Sequence, residues 1–306
     1  MRRARIALFA AFILIAFGEE FNPLHQAASQ TAVAVSGILT REWNTERSSP
    51  LDLELGGELK GLPPGTTRFV TRDYLLALPQ TSFTTTGDEK FTGPTRVSGV
   101  TLDELMRALG GARPSDMFVA ISNDGYRANY TSTYIAAHHP VLVLKVDGKA
   151  PPDWPKDAEH GTDLGPYTVS YLDFVPGFRT FAHTDEPQIP WGVVRLDLRE
   201  QEAVFGAIAP RGPHANDPTV EAGYRIAQQN CFRCHNAGPE GGQKSERPWL
   251  VLSAWAIASP EFFTAYVRDP KTKNPLSVMP ANRDYDDSTM RALLAYFRTF
   301  SAPQPR

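Results

Sequence analysis

The chain holds two cysteines, and they stand three positions apart with a histidine directly after the second, as Cys231-Phe232-Arg233-Cys234-His235. That spacing constrains the fold around it more than any other feature of the sequence. Cys-x-x-Cys-His is the attachment signature of a c-type haem: two thiols add across the two vinyl groups of one haem edge, and the following imidazole ligates the iron. A redox dithiol and half of a zinc site share the Cys-x-x-Cys spacing. A structural zinc site normally takes four protein ligands, and no further cysteine exists to complete it. A redox dithiol belongs beside a βαβ pattern, which this stretch lacks. Two cysteines also cannot build a disulfide framework.

Local signals around the motif are helical. Asp217 and Pro218 make an N-cap and an N1 proline, and Val220, Gly223, Tyr224 and Ala227 follow at helical spacing. A second helix starts at Ser259-Pro260, carries Phe262, Phe263, Tyr266 and Val267, and stops at Asp269-Pro270. A third begins near Asp287 with Met290, Leu293, Leu294 and Phe297 on one stripe.

From Pro218 to Phe300 these residues resemble the class I cytochromes c. The resemblance rests on Gly223 eight residues before the first haem cysteine, on Cys231–His235, on the stretch PEFFTAYVRDPKTKNPLSVMPA, and on the aromatic last helix. It implies one covalent haem c, His235 and Met279 as metal ligands, and single-electron exchange with redox protein partners. It also implies that a proline carbonyl after the motif receives the other His235 nitrogen, and Pro248 is the nearest match. The residues point to the same methionine. Met106 and Met290 lie on apolar helix stripes and read as core, as does Met117, whereas Met279 sits in a proline-bounded loop. Trp249, Trp255 and Arg283 are candidates to meet the haem propionates, with core or surface as the alternative for each. Lys271 and Lys273, a few residues before Met279, are candidates for a partner-facing edge.

The start of the chain reads as a targeting segment. Arg2, Arg3 and Arg5 precede a run of twelve uncharged residues, Ile6–Phe17, and Ala16-Phe17-Gly18 offers small residues at a cleavage site. As a helix such a run rises about 18 Å against a hydrocarbon core of roughly 30 Å. Residues 1–18 are therefore expected to be a signal peptide, the remainder periplasmic, without a permanent membrane span; an uncleaved anchor is the alternative. Glu19–Ala34 follows as a leader.

With 306 residues, two domains are expected. Residues 19–214 hold 17 Lys and Arg against 25 Asp and Glu, while 215–306 hold 11 against 9. That asymmetry, and the proline- and glycine-rich stretch Ala207–Asn216, divide the chain at a linker into 35–208 and 215–306. A net charge of −3 offers no basic surplus for nucleic acid. The fold class expected is α+β: a mixed, β-dominated N-terminal domain, then an all-α domain.

The N-terminal part alternates short strands with a few helices. Thr101-Leu102-Asp103-Glu104 is a capping box, and Leu102, Leu105, Met106 and Leu109 continue the helix to Gly110-Gly111. Phe118–Ser122 and Tyr126–Tyr130 are strands around Asn123-Asp124-Gly125, Val141–Val146 ends in the turn signal Asp147-Gly148, and Val193–Leu198 is a later strand. From Phe69 to Phe174 the pieces TRDYLLALPQTSFTTTGD, GPTRVSGVTLDELMRALGG, NDGYRANY, VLVLKVDGKAPP and HGTDLGPYTVSY are similar, in order, to the molybdopterin-binding core of sulfite oxidase-type enzymes. That family ligates molybdenum through a cysteine after the first strand; here Phe83–Gly87 offers none, and a hydroxyl replaces a thiolate poorly at a soft metal. The resemblance therefore implies a fold without its catalysis, a domain for docking or ligand binding, and no molybdopterin. Two rivals stay open, a molybdopterin oxidoreductase feeding its own haem and a haem-based sensor. His138-His139 reads as two strand residues on opposite faces, unable to share a metal, and His160 as a solvated histidine.

Overall fold

The computed structural model describes residues 43–301, apart from 86–87, 89, 111–112, 114–115, 159–160, 173–182 and 184. The expected signal peptide, the leader and His160 lie outside the described residues.

Hydrophobic alternation builds two sheets. Strands β1 (Leu53–Gly57) and β2 (Arg68–Val70) lead to helix α1 (Arg72–Ala77), then to β3 (Thr81–Thr85) and β4 (Thr95–Thr101). Helix α2 (Leu102–Ala108) precedes the hairpin β5 (Asp116–Ser122) and β6 (Arg127–Thr131), followed by α3 (Ser132–His138) and β7 (Val141–Val146). Strands β8 (Thr168–Ser170) and β9 (Val193–Glu200) complete the set. One sheet has the order β2-β1-β9-β5-β6, with β1 and β9 parallel; the other, β3-β4-β7-β8, is antiparallel throughout.

One device recurs at three strand-to-helix junctions. Thr71, Thr101 and Thr131 sit in extended backbone at a strand end, and each hydroxyl accepts the N–H three residues on, at 3.1, 3.2 and 3.1 Å. A side-chain oxygen there satisfies one of the donors a helix start leaves free. After β7, Asp147 and Gly148 both take positive φ (49° and 76°), closing a tight turn onto Lys149 as the Asp-Gly pair predicts.

The remaining elements surround the Cys-x-x-Cys-His segment. Helix α4 (Gln201–Phe205) and a 3-10 turn (Gly206–Ile208) leave β9, and α5 (Pro218–Asn230) runs into the motif. The short pair β10 (Asn236–Ala237) and β11 (Glu240–Gly241) precedes α6 (Trp249–Ala258), α7 (Pro260–Arg268) and α8 (Asp287–Arg298). The small β hairpin corrects the expectation of an all-α unit. Helix α6 is an element the periodicity did not show.

The two parts share a core. Met117 and Val119 alternate along β5 and pack, with Val204, Phe205 and Ile208, into the same buried cluster as Val220, Phe232, Trp249, Leu293 and Tyr296. Phe118 and Ala120, also fully buried, belong by alternation to the opposite face of the sheet. The expected linker is therefore not loose at its start: Ile208 is fully buried and its carbonyl accepts the Tyr296 hydroxyl. Among the described residues no helix is long and apolar enough to cross a membrane.

Candidate haem site

Helix α5 delivers the motif. Asp217 caps it, accepting the Thr219 N–H at 2.7 Å, and Pro218 occupies the first turn where no N–H is needed. Gly223 faces α8 so closely that a β-carbon there would lie 2.1 Å from the Ala292 carbonyl oxygen. Only glycine permits that crossing. Cys231 ends the helix, and the chain makes one more turn, with the Cys234 and His235 N–H groups both donating to the Cys231 carbonyl at 3.2 and 3.0 Å.

The following stretch folds back over this turn. Gly242 donates to the Phe232 carbonyl at 2.8 Å and Ser245 to the Cys234 carbonyl at 2.9 Å. A β-carbon on Gly242 would stand 1.8 Å from the Arg233 carbonyl oxygen, so the return strand needs glycine there. The loop then reaches Arg247, whose carbonyl lies 2.7 Å from His235 Nδ1. Sequence reasoning placed this acceptor at Pro248; the structure moves it one residue earlier, because Pro248 is the N-cap of α6. A backbone acceptor leaves no side-chain signature, so only the approximate position was readable.

This geometry decides the chemistry of the donors. A nitrogen facing a carbonyl must carry the proton, so His235 Nδ1 donates and Nε2 keeps its lone pair. Burial pushes the His235 pKa down, which keeps the ring neutral. Both cysteines are unpaired thiols; burial raises Cys231 to about 12 and moves Cys234 in the same direction. Neither is therefore a thiolate nucleophile at neutral pH. Beside Cys231, Tyr285 buries a hydroxyl with no hydrogen-bond partner among the described residues.

Met279 is half-buried on the loop between α7 and α8 and packs against the same core cluster as Cys231. Its N–H donates to Ser277 Oγ at 3.3 Å, and that hydroxyl pairs with Tyr266 Oη at 3.1 Å, so the loop is fastened beside the methionine. Met106, Met117 and Met290 are core residues, 8%, 0% and 2% exposed. Two unpaired thiols and an oriented neutral imidazole are the donor set that a haem c would need here.

The remaining candidates separate. Trp249 is buried in the aromatic core, 5.0 Å between ring centroids from Phe297. Trp255 is half-buried with the Arg247 guanidinium over its ring at 5.4 Å. Arg283 is exposed and paired with Asp269 at 2.8 Å. His138 is the last residue of α3 rather than part of a strand, and His139 follows it in left-handed backbone (φ 47°). Each meets a different carboxylate, His138 with Asp185 at 2.8 Å and His139 with Asp103 at 3.6 Å. Among the described residues no group of three or more His, Cys, Asp or Glu is placed to hold a metal.

Comparison with known proteins bears on the domain that carries the motif. Residues 218–297 match the family described as cytochrome c oxidase, cbb3-type, subunit III. A curated relative, cytochrome c oxidase subunit 2 of Alkalihalophilus pseudofirmus, is 25% identical over 154 residues, 42% of this chain and 44% of its own length. The chain thus spans less than half of that relative. Among solved structures, the sulfane dehydrogenase SoxCD from Paracoccus pantotrophus matches at 13% identity over 56% of this chain and 45% of its own, with a TM-score of 0.33. The C-terminal part of this chain is a cytochrome c domain.

Proposed function

We propose that the chain is an exported monohaem c-type cytochrome that carries single electrons between redox partners. The observation that carries this reading is the Cys231–His235 turn, with two free thiols and an imidazole whose Nδ1 is tied to the Arg247 carbonyl at 2.7 Å. In it Cys231 and Cys234 hold the haem covalently, and His235 and Met279 ligate the iron. A bound haem c supplies a one-electron iron couple, and six-coordination leaves no open position for substrate. The protein's own task is orientation: the Arg247 carbonyl fixes the imidazole, and the Ser277–Tyr266 contact fastens the methionine loop. Leu276 and Val278, 88% and 85% exposed just before Met279, offer apolar surface to a partner, with Lys271 and Lys273 preceding them.

In the same reading the N-terminal part, with its sulfite oxidase-like sequence pieces, serves docking or ligand binding and performs no molybdenum catalysis. Its β3 region supports this. Asp88, just beyond the cysteine-free segment, forms a buried ion pair with Lys90 at 3.1 Å and accepts the Ser170 hydroxyl at 2.8 Å. Lys90 also donates to the Val169 carbonyl at 2.7 Å, so these groups are committed to one another and add no soft donor.

Metal analysis with a haem-stained denaturing gel tests the reading. The expected result is one iron per chain, haem that stays attached on denaturation, and its loss from the Cys231→Ser/Cys234→Ser variant. Molybdenum at one equivalent per haem would replace the carrier role with that of an oxidoreductase. Stable haem attachment in the double serine variant would overturn the site.

A further inference from the structure

The sheet half of the molecule grips the motif itself. Arg233, the second variable residue of Cys-x-x-Cys, turns its guanidinium toward the β5–β6 hairpin. One terminal nitrogen reaches Tyr126 Oη at 3.1 Å and the Pro187 carbonyl at 3.3 Å; the other donates to Asn230 Oδ1 at 2.6 Å. The Arg233 carbonyl accepts the Arg127 N–H at 2.9 Å. Because β6 is the outer strand of its sheet, this bond caps an edge donor that would otherwise face water. Beside it, Gln243 donates to the Gly125 carbonyl at 2.8 Å, and Gly125 takes φ +84° to make that approach.

The charge on Arg233 matters because no carboxylate stands within ion-pair distance of it among the described residues, and its partners are a phenol, a carbonyl and an amide. A fixed positive charge beside an iron site disfavours the ferric state, which carries one positive charge more than the ferrous state. Its influence falls with distance and with access to water. A guanidinium held in place therefore acts on the couple, and one released into solvent acts less.

We propose that the β5–β6 hairpin is a clamp on the Cys231–His235 loop, and that Arg233, held by Tyr126, is the positioning residue through which the sheet raises the reduction potential of the haem. This rests on the haem reading of the motif. It gives the N-terminal part a physical task that needs no metal of its own.

Spectroelectrochemical titration of the full-length holoprotein tests it, with haem content measured on every sample as the pyridine haemochrome. Arg233→Gln should lower the equilibrium constant for reduction at least tenfold, about 59 mV for one electron. Tyr126→Phe should shift it severalfold in the same direction, and Arg233→Lys should recover part of the loss. Arg225→Gln, an exposed change on α5, should leave the potential where it was. Equilibrium constants for reduction within twofold of the parent for Tyr126→Phe and Arg233→Gln at full haem loading would overturn the clamp. Should Arg233→Gln fail to load haem, the Tyr126→Phe and Arg233→Lys potentials decide in the same way. A parent protein without covalent haem would defeat the haem reading instead, an outcome the haemochrome separates from a shifted potential.

Discussion

Gly223→Ala sets two physical effects against each other with opposite signs. Alanine in place of glycine inside α5 should favour the helix by about 1 kcal/mol, since the backbone loses less freedom. At this position, however, the new β-carbon would lie 2.1 Å from Ala292 O, 2.5 Å from Ala292 C and 2.7 Å from Tyr296 Cβ. Two of those atoms belong to the backbone of α8 and cannot rotate aside. Ordinary contact begins near 3.4 Å, so the helices must part by about 1.3 Å. The neighbouring core, with Val220, Leu293, Tyr296 and Phe297 all buried, would open with them. Overpacking of this kind costs about 1–3 kcal/mol, and a gap near 1 Å forfeits up to about half of each dispersion contact. Packing should therefore win, leaving the variant up to about 2 kcal/mol less stable. Urea unfolding followed by circular dichroism would show the midpoint falling at unchanged slope, and Gly223→Val should fall further. A Gly223→Ala variant more stable than its parent would show that the crossing is looser than the geometry drawn here.

Further outcomes follow from substitutions elsewhere in the helical part. Met279→Ala should change the axial-ligand bands of the visible spectrum and lower the reduction potential, because a thioether favours ferrous iron. Met290→Leu should leave both unchanged and cost under about 1.5 kcal/mol by urea unfolding. Asp286 caps α8, accepting the Thr289 N–H and the Ser288 hydroxyl at 2.7 Å each, and these bonds hold its carboxyl down at about 2. A depressed carboxyl contributes fully above its unfolded value near 4, and the contribution disappears as pH falls from about 4 to about 2. Asp286→Asn should accordingly flatten that part of the acid unfolding profile. Lys271→Glu/Lys273→Glu should slow reduction by an acidic redox partner at low salt and converge with the parent at high salt in stopped-flow measurements; rates indifferent to salt and charge reversal would rule out docking at this edge.

What the sequence made legible is what short-range chemistry dictates. Thr101 with Glu104, Asp217 with Pro218, and Pro260 mark three helix starts because caps and N1 prolines act within one turn. Val141–Val146 was readable end to end, since a buried strand needs a continuous apolar run and its Asp-Gly turn is local. Helix α6 escaped because Trp249–Ala258 is apolar nearly all round and shows no stripe of period 3.6. The histidines at 138 and 139 were misread for a related reason: three turns of Thr-capped junctions alternate strand with helix faster than a short window can follow. The cysteines, the histidine and the loop methionine stand out by residue type. The Arg247 carbonyl does not, being a backbone atom common to every residue.

Long-range pairing was not legible at all, and it changes what the chain is. Read by composition, residues 207–216 are a proline- and glycine-rich connector between two separate units. In the structure, the parallel pairing of β1 with β9 brings the last strand to the middle of the sheet, next to β5. From that placement α4 and the turn at Gly206–Ile208 lead to α5 and α8, the Phe205 and Ile208 carbonyls accepting the Tyr224 and Tyr296 hydroxyls. The placement also leaves one face of β5 to be covered by the helices rather than by another sheet. A helical unit of this size buries a small fraction of its surface and is marginal by itself. Here Met117, Val119, Val204, Phe205 and Ile208 extend its core from outside the haem-binding sequence. The same contact puts the β5–β6 hairpin against the Cys231–His235 loop. Packing that stabilises the helices is thus inseparable from packing that positions the motif, and that is the physical ground for the clamp we propose between the hairpin and the Cys231–His235 loop.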